Sequence, residues 1–150
     1  MLDFICQKVL ENNFHFWLES TCRLHVSLAK TKHPLLFELN HDKIPTLTEI
    51  EAFEKRENVG LPEKYRQFLE IYGGGYFVFT NVFSLDANGD FYILGCGSCP
   101  LEGYLAISDN GCGDLYVLKI ENNSCLDQLF SMTMKHGKFM KHHIMIYLNI

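Results

Sequence analysis

The sequence predicts an α+β fold in which a mostly antiparallel β-sheet is flanked by helices. Three observations carry that prediction. Two consecutive segments between residues 48 and 75 show apolar residues at helical spacing together with helix start and stop signals. After residue 76 the period changes to two, and short apolar runs alternate with Asn, Asp and Gly turn signals. Helical and strand patterns also alternate too irregularly for a series of parallel βαβ units. With 150 residues, no internal repeat and no low-complexity linker, the chain is expected to form one domain over 1–150.

The first element, residues 2–18, reads as an amphipathic helix: Leu2, Ile5, Cys6, Val9, Phe16 and Trp17 fall near one face. Leu24, Val26 and Leu28 alternate with His25, Ser27 and Ala29, which predicts a strand broken at His33-Pro34. Thr48 and Glu51 fit a capping box opening a helix, in which Ile50 and Phe53 lie on the buried side and Gly60 marks the stop. A second helix begins at Pro62, whose missing N–H is tolerated in a first turn. Tyr65, Phe68, Leu69 and Tyr72 form its apolar stripe, and Gly73-Gly74-Gly75 ends it.

Short strands are predicted over Tyr76–Phe79, Val82–Leu85 and Phe91–Leu94, the last two joined through Asn88-Gly89, a strong hairpin signal. Gly103–Ile107 and Leu115–Ile120 make a second pair around Asp109-Asn110-Gly111-Cys112-Gly113. Residues 126–150 are weakly patterned and locally basic, with Lys135, His136, Lys138, Lys141, His142 and His143; helix and strand both fit them.

Composition narrows the function. A formal net charge of −5 argues against nonspecific nucleic-acid binding, which needs clustered Lys and Arg to neutralise phosphates. It favours encounter with a basic protein partner. Asp3, Lys8 and Glu11 interrupt any apolar run long enough for a signal peptide, and no stretch approaches the roughly 20 apolar residues of a membrane helix. The chain is therefore expected to stay in the cytoplasm, away from membranes, with its six cysteines reduced.

Five runs of residues carry a resemblance. Ile50-Glu51-Ala52-Phe53-Glu54 leads into Gly60-Leu61-Pro62-Glu63-Lys64-Tyr65-Arg66-Gln67-Phe68-Leu69 and then Tyr72-Gly73-Gly74-Gly75. Further on come Gly103–Ser108 and Gly111-Cys112-Gly113-Asp114-Leu115-Tyr116. Together they resemble the SUKH superfamily, with its L-P-x-x-Y-x-x-F-L motif, terminal glycines and paired strands around a Gly-Asp. The resemblance covers about residues 44–120; residues 1–43 are unmatched, and 126–150 differ from the family's usual C-terminal helix. It implies a non-catalytic protein-binding domain. Bacterial members are immunity proteins that bind and neutralise a polymorphic toxin, often a nuclease, whereas fungal SMI/KNR-type relatives regulate cell-wall synthesis through protein contacts. Leu61, Pro62, Tyr65, Phe68, Leu69, Gly74, Gly113 and Asp114 are the structural residues of the motif. Pro62 opens a helix, the aromatic residues pack it, and the glycines allow turns a Cβ would forbid.

Catalytic and metal-bound readings are weaker. Cys96-Gly97-Ser98-Cys99 is a CxxC followed by Cys112 and Cys125, but structural zinc sites usually offer two close pairs and this chain has one. The CxxC lies between strands rather than at a helix N-terminus in a βαβ unit, which disfavours redox chemistry. His142 and His143 are adjacent and would point apart on a strand. Asp86, Asp90, Asp109 and Asp114 sit at turns and lack the spacing of a calcium loop. Gly111-Cys112-Gly113 lacks the third glycine of a dinucleotide loop. No metal, cofactor or catalytic residue is therefore assigned. The expected partner surface is acidic and aromatic: Tyr72, Tyr76, Asp86, Asp90, Glu102, Asp109 and Asp114, set against a cognate toxin domain.

Overall fold

The structure is a computed structural model that describes residues 31–32, 34, 41–77, 80–96, 102–135 and 138–147. The helix expected over 2–18 and the strand expected near 24–28 lie outside the described residues. Helix α1 spans Leu47–Glu57, α2 spans Glu63–Tyr72 and α3 is a single turn, Ile93–Cys96. Strands β1 (Gly75–Tyr76), β2 (Asn81–Val82), β3 (Tyr104–Asp109), β4 (Asp114–Glu121), β5 (Ser124–Lys135) and β6 (Lys138–Tyr147) form one sheet in sequence order. Every neighbouring pair is antiparallel, so the sheet is a meander.

Local chemistry sets the helix ends, one or two residues from where the sequence pattern put them. Thr46, not Thr48, is the N-cap of α1: its hydroxyl accepts from the Glu49 N–H while the Glu49 carboxylate accepts from the Thr46 N–H at 2.8 Å. This reciprocal box satisfies donors that the first turn would leave orphaned. The Thr48–Glu51 spacing fits the same motif, but a register two residues later would carry the buried Ile50 and Phe53 to different positions in the first turns. The stop is Asn58 in the left-handed conformation (φ 52°), not Gly60; its N–H returns to the Glu54 carbonyl. Pro62 is the N-cap of α2, just outside the first turn, and its carbonyl accepts from Arg66 N.

Gly60 has a different task. Its N–H donates to the Asn123 carbonyl and its own carbonyl accepts from Cys125 N, both at 2.8 Å. The α1–α2 connection is thereby tied to the β4–β5 turn. That turn consists of Asn122 and Asn123, both at positive φ (51° and 61°), the combination that suits a two-residue hairpin. Glu54 supports the same junction: its carboxylate accepts from Leu61 N at 2.8 Å and faces Arg66 at 3.8 Å.

The larger departures lie between β2 and β3. The strand expected at Tyr76–Phe79 is confined to Gly75–Tyr76, with residues 78 and 79 outside the described set, and the strand expected at Val82–Leu85 starts and ends earlier, at Asn81–Val82. Phe91–Leu94 does not form the hairpin strand. Tyr92 makes one parallel bridge to Ser84, and the chain turns at once into α3. The Asn88-Gly89 signal is instead spent on a loop that closes around the Asp42 carboxylate, which accepts from Asp90 N at 3.0 Å and Phe91 N at 2.9 Å. A Cβ on Gly89 would lie 2.2 Å from that carboxylate, so only glycine allows the close approach. The second pair of strands is as expected but longer, 104–109 and 114–121. The ambiguous C-terminal segment is a long β-hairpin, β5–β6.

The core joins both layers. Ile50 and Phe53 of α1 and Tyr65, Phe68 and Leu69 of α2 cluster with Phe77, Val82, Phe83, Ile93, Ile107, Val117, Leu118, Leu129 and Met132. Leu61 and Pro62 are buried beside them. At the centre lies the dipeptide Phe83-Ser84, fully buried, with every backbone polar group paired. Phe83 N donates to Ile107 O and Phe83 O accepts from the Tyr65 hydroxyl at 2.9 Å. Ser84 N donates to Phe91 O, its carbonyl accepts from Ile93 N, and its hydroxyl donates to Asp42. Burial holds the Tyr65 phenol far above its ordinary range, so it remains a donor at any working pH. Gly74 packs directly on this dipeptide: a Cβ there would sit 2.5 Å from Ser84 N.

Tyr65→Phe is expected to lower stability by about 1–3 kcal/mol, because the buried Phe83 carbonyl loses its partner. Gly74→Ala should cost a similar or larger amount through the forced contact with Ser84 backbone. Urea midpoints for the two variants check both; an unchanged midpoint for either removes the role assigned to it.

A pH prediction follows from the α1 cap. The Lys43 ammonium at 2.6 Å, and then the Thr46 N–H, hold the Glu49 carboxyl down at about 2, against 4.5 for an unperturbed group. A lowered folded-state pKa contributes stability that is complete above about pH 4.5 and disappears as pH falls toward 2. Glu49→Gln should therefore flatten that part of the acid limb of a stability–pH curve, leaving the curve above pH 5 parallel to the wild type.

Candidate functional site

The seven residues expected to meet a partner fall into three places. The first is one end of the sheet. Tyr76 stands opposite Asn81, Asn81 opposite Asp109, and Asp109 opposite Leu115, so these residues form a row across β1 to β4. At about 4.8 Å between strands, Tyr76 and Asp109 are about 10 Å apart. Asp114 opens β4 at the same end, across the tight turn from Asp109.

That turn is built by its own polar side chains. Asp109 Oδ1 accepts from Gly111 N at 2.7 Å and from Asn81 Nδ2 at 2.8 Å. Asn110 Oδ1 accepts from Cys112 N and Asp114 N, while its Nδ2 donates to Asp114 Oδ2 at 2.9 Å. The backbone N–H groups of the turn are thus taken up by Asp109 and Asn110, and Asp114 braces Asn110. Gly113 bends the chain at φ 98°. Below the turn, Thr80 Oγ1 and Ser108 Oγ share a buried hydrogen bond of 2.8 Å, and Thr80 also donates to the Asp109 carbonyl. Both acidic side chains are half-buried and held in position, each with oxygen lone pairs to spare.

The second place is the loop around Asp42. Asp86 accepts from Asn88 N at 3.0 Å in an Asx turn, and the exposed Asp90 gives its N–H to Asp42. Tyr72 ends α2 next to Gly73, where a Cβ would lie 3.3 Å from the Asp42 carbonyl oxygen, and is half-buried against Phe68 with ring centroids 5.1 Å apart. A cation is close: Lys43 has its pKa raised first by Glu49 and also by Asp86, which tempers the negative potential there. The third place is Glu102, exposed before β3 at the end of that strand opposite to Asp109. Five residues of strand, about 17 Å, separate the two ends. Glu102 therefore does not join the Tyr76–Asp109–Asp114 group.

One signal common to all three places was legible in the sequence. From Gln67 to Leu118 there is no Lys or Arg, while Glu70, Asp86, Asp90, Glu102, Asp109 and Asp114 all fall inside that stretch. The stretch builds β1, β2, β3 and β4 as far as Leu118, so these strands carry no Lys or Arg before Lys119. Asp42 and Asn110 were missed as organising residues, because their partners depend on the folded loops rather than on local pattern.

The cysteines divide. Cys112 lies two residues before Asp114, whereas Cys125 stands opposite Ile120 at the other end of β4. Six residues of strand put about 20 Å between those positions. One tetrahedral ion with sulfur ligands at about 2.3 Å cannot take both, so the four-cysteine zinc arrangement is ruled out by topology. Cys125 is buried, and burial followed by the nearby Glu54 charge pushes its thiol up to about 12. Among the described residues no group of three or more His, Cys, Asp or Glu is placed to hold a metal ion. Thiol labelling tests this division. Cys112 should react within minutes in the native state, and Cys125 only on unfolding, as read by site-resolved mass spectrometry.

Among the described residues no helix is long and apolar enough to cross a membrane. A family model described as the SMI1 / KNR4 family (SUKH-1) matches residues 44–142, a span that includes α1, α2 and α3 and runs into β6. No curated protein and no solved structure matches the chain.

Proposed function

The chain belongs to the SMI1 / KNR4 family (SUKH-1), and on that premise we propose that it is a non-catalytic immunity protein that binds and neutralises a cognate toxin domain of basic surface. The observation that carries this reading is the stretch 67–118, which has acidic residues and no Lys or Arg and brings Tyr76, Asp109 and Asp114 to one end of the sheet, beside a turn stiffened by Asn81 and Asn110. A preorganised acidic surface loses little entropy on binding, and its potential speeds encounter with a cationic partner. Tyr76 offers a half-buried aromatic ring of the kind that dominates interface energetics. The carboxylates are braced by amides and backbone N–H groups rather than by a base or nucleophile, which favours recognition over catalysis.

Co-expression with the toxin domain encoded immediately upstream tests the proposal. Rescue of growth and co-purification of a stable complex are the expected outcome. Growth arrest by an active toxin in the presence of the folded protein would instead favour a regulatory scaffold that binds a cellular protein. Within a complex, Asp109→Asn keeps the acceptor oxygen and removes the charge. It should slow association several-fold and lessen its salt dependence while leaving the melting temperature near wild type. Tyr76→Ala should act mainly on dissociation and cost about 1–2 kcal/mol of affinity. Surface plasmon resonance at two salt concentrations separates the two effects.

A further inference from the structure

The sequence contains two Asn-Gly pairs, Asn88-Gly89 and Asn110-Gly111. Asparagine before glycine has an intrinsic chemistry. The glycine backbone nitrogen, unhindered by a side chain, can attack the carbonyl carbon of the asparagine side chain. A C–N bond forms, the side-chain nitrogen leaves as ammonia together with the amide proton, and a cyclic succinimide remains. Water then opens the ring at either carbonyl to give aspartate or isoaspartate, with no oxidation or reduction. The reaction needs the side chain free to swing onto the glycine nitrogen, and that nitrogen free to lose its proton.

The fold treats the two pairs differently. Asn110 is half-buried and held at both ends of its amide: Oδ1 accepts from Cys112 N at 2.8 Å and Asp114 N at 3.1 Å, and Nδ2 donates to Asp114 Oδ2 at 2.9 Å. The attacking atom is occupied as well, because Gly111 N donates to the Asp109 carboxylate at 2.7 Å, a charge-assisted bond that keeps its proton in place. Asn88 is exposed and fixed through its backbone. Its N–H donates to Asp86 Oδ1, and among the described residues no bond restrains its side-chain amide. Gly89 N donates to the neutral Asp86 carbonyl at 3.0 Å, a weaker restraint than a carboxylate. The Asp42 carboxylate beside Gly89 is committed to Asp90 N, Phe91 N and the Ser84 hydroxyl.

We propose that Asn88-Gly89 is a self-modification site, at which Asn88 converts through a succinimide to isoaspartate, and that this change releases the loop from Asp42. Isoaspartate carries the main chain through its side-chain carbon. It therefore adds a backbone atom between residue 88 and Gly89 N and leaves a new carboxylate at the branch. The loop has no room for the extra length, since even a Cβ on Gly89 would lie 2.2 Å from the Asp42 carboxylate. The lengthened chain draws Asp90 N and Phe91 N off Asp42, beside a second negative charge. Because the Phe91 carbonyl accepts from Ser84 N, the disturbance reaches the buried Phe83-Ser84 junction. Asn110 is preserved, so the acidic turn keeps its shape while the loop ages. No partner takes part, so the site stands or falls without the toxin reading.

The purified full chain is aged in warm, mildly alkaline buffer and mapped by peptide mass spectrometry, with fragmentation that separates isoaspartate from aspartate. Asn88 is expected to convert about tenfold or more faster than Asn110, which must first leave the Asp114 carboxylate. In denaturant the two sites should react at similar rates. Aged protein should melt at a lower temperature, and hydrogen–deuterium exchange of the segment containing Asp90 and Phe91 should quicken. Asn88→Gln, whose longer side chain cyclises far more slowly, should abolish conversion at this position and hold the melting temperature through ageing. An unmodified Asn88 in the folded protein, equal rates at the two sites, or a converted loop with unchanged melting and exchange would overturn the proposal. A preference for Asn88 that persists in denaturant would assign the selectivity to sequence and overturn it equally. The wild-type comparison decides even if the variant fails to fold.

Discussion

The structure hangs on the buried Phe83-Ser84 dipeptide. A backbone segment excluded from water must pair all its polar groups, since each one left unpaired costs on the order of 1–3 kcal/mol. Here the partners come from four separate parts of the chain: Tyr65 on α2, Ile107 on β3, the 91–93 turn, and Asp42 before α1. Satisfying two residues therefore fixes the relative positions of a helix, a central strand, a loop and the incoming chain. Gly74 is part of the same constraint, because the helix can end against Ser84 only where no Cβ intervenes. The family motif, with its tyrosine and terminal glycines, is in physical terms the set of residues that makes this junction possible.

The loop acids acquire their positions from that junction. Ser84 directs its hydroxyl to Asp42, and Asp42 in turn accepts the N–H groups of Asp90 and Phe91, so the loop carrying Asp86 and Asp90 closes around a carboxylate 42 or more residues away in sequence. At the far end of β2 and β3 the Asp109–Asp114 turn is stiffened by short-range bonds within itself and by Asn81. A rigid acidic turn and a rigid acidic loop result, one anchored locally and the other through the core. Lys43 stands near Asp86 and tempers the negative potential of that loop.

Charge is also segregated across the sheet. The strands formed from the acid-only stretch occupy one side, and the lysine-bearing β6 occupies the other edge. The short β1 edge is bridged by His41, which stands opposite Gly75.

The sequence alone determined the features whose causes are local. The α2 stripe of Tyr65, Phe68 and Leu69, the glycines after Tyr72, the strand pair around Asp109–Asp114 and the resemblance to the SUKH superfamily all rest on residues a few positions apart. Helix ends were legible to within one or two residues, because Thr46-Glu49 and Thr48-Glu51 satisfy the same capping pattern and only burial of Ile50 and Phe53 separates them. Tertiary structure decided the rest. Asn88-Gly89 is hairpin chemistry, yet the pull of the Asp42 carboxylate and the pairing of Ser84 with Phe91 and Ile93 turn it into a loop and a short helix. Residues 126–150 carry no decisive period; β5 becomes a strand where β4 supplies a ladder for it, and β6 pairs with β5 in turn. The division of the candidate residues into a sheet end, a loop and the distant Glu102 follows from strand register, which no spacing along the chain encodes.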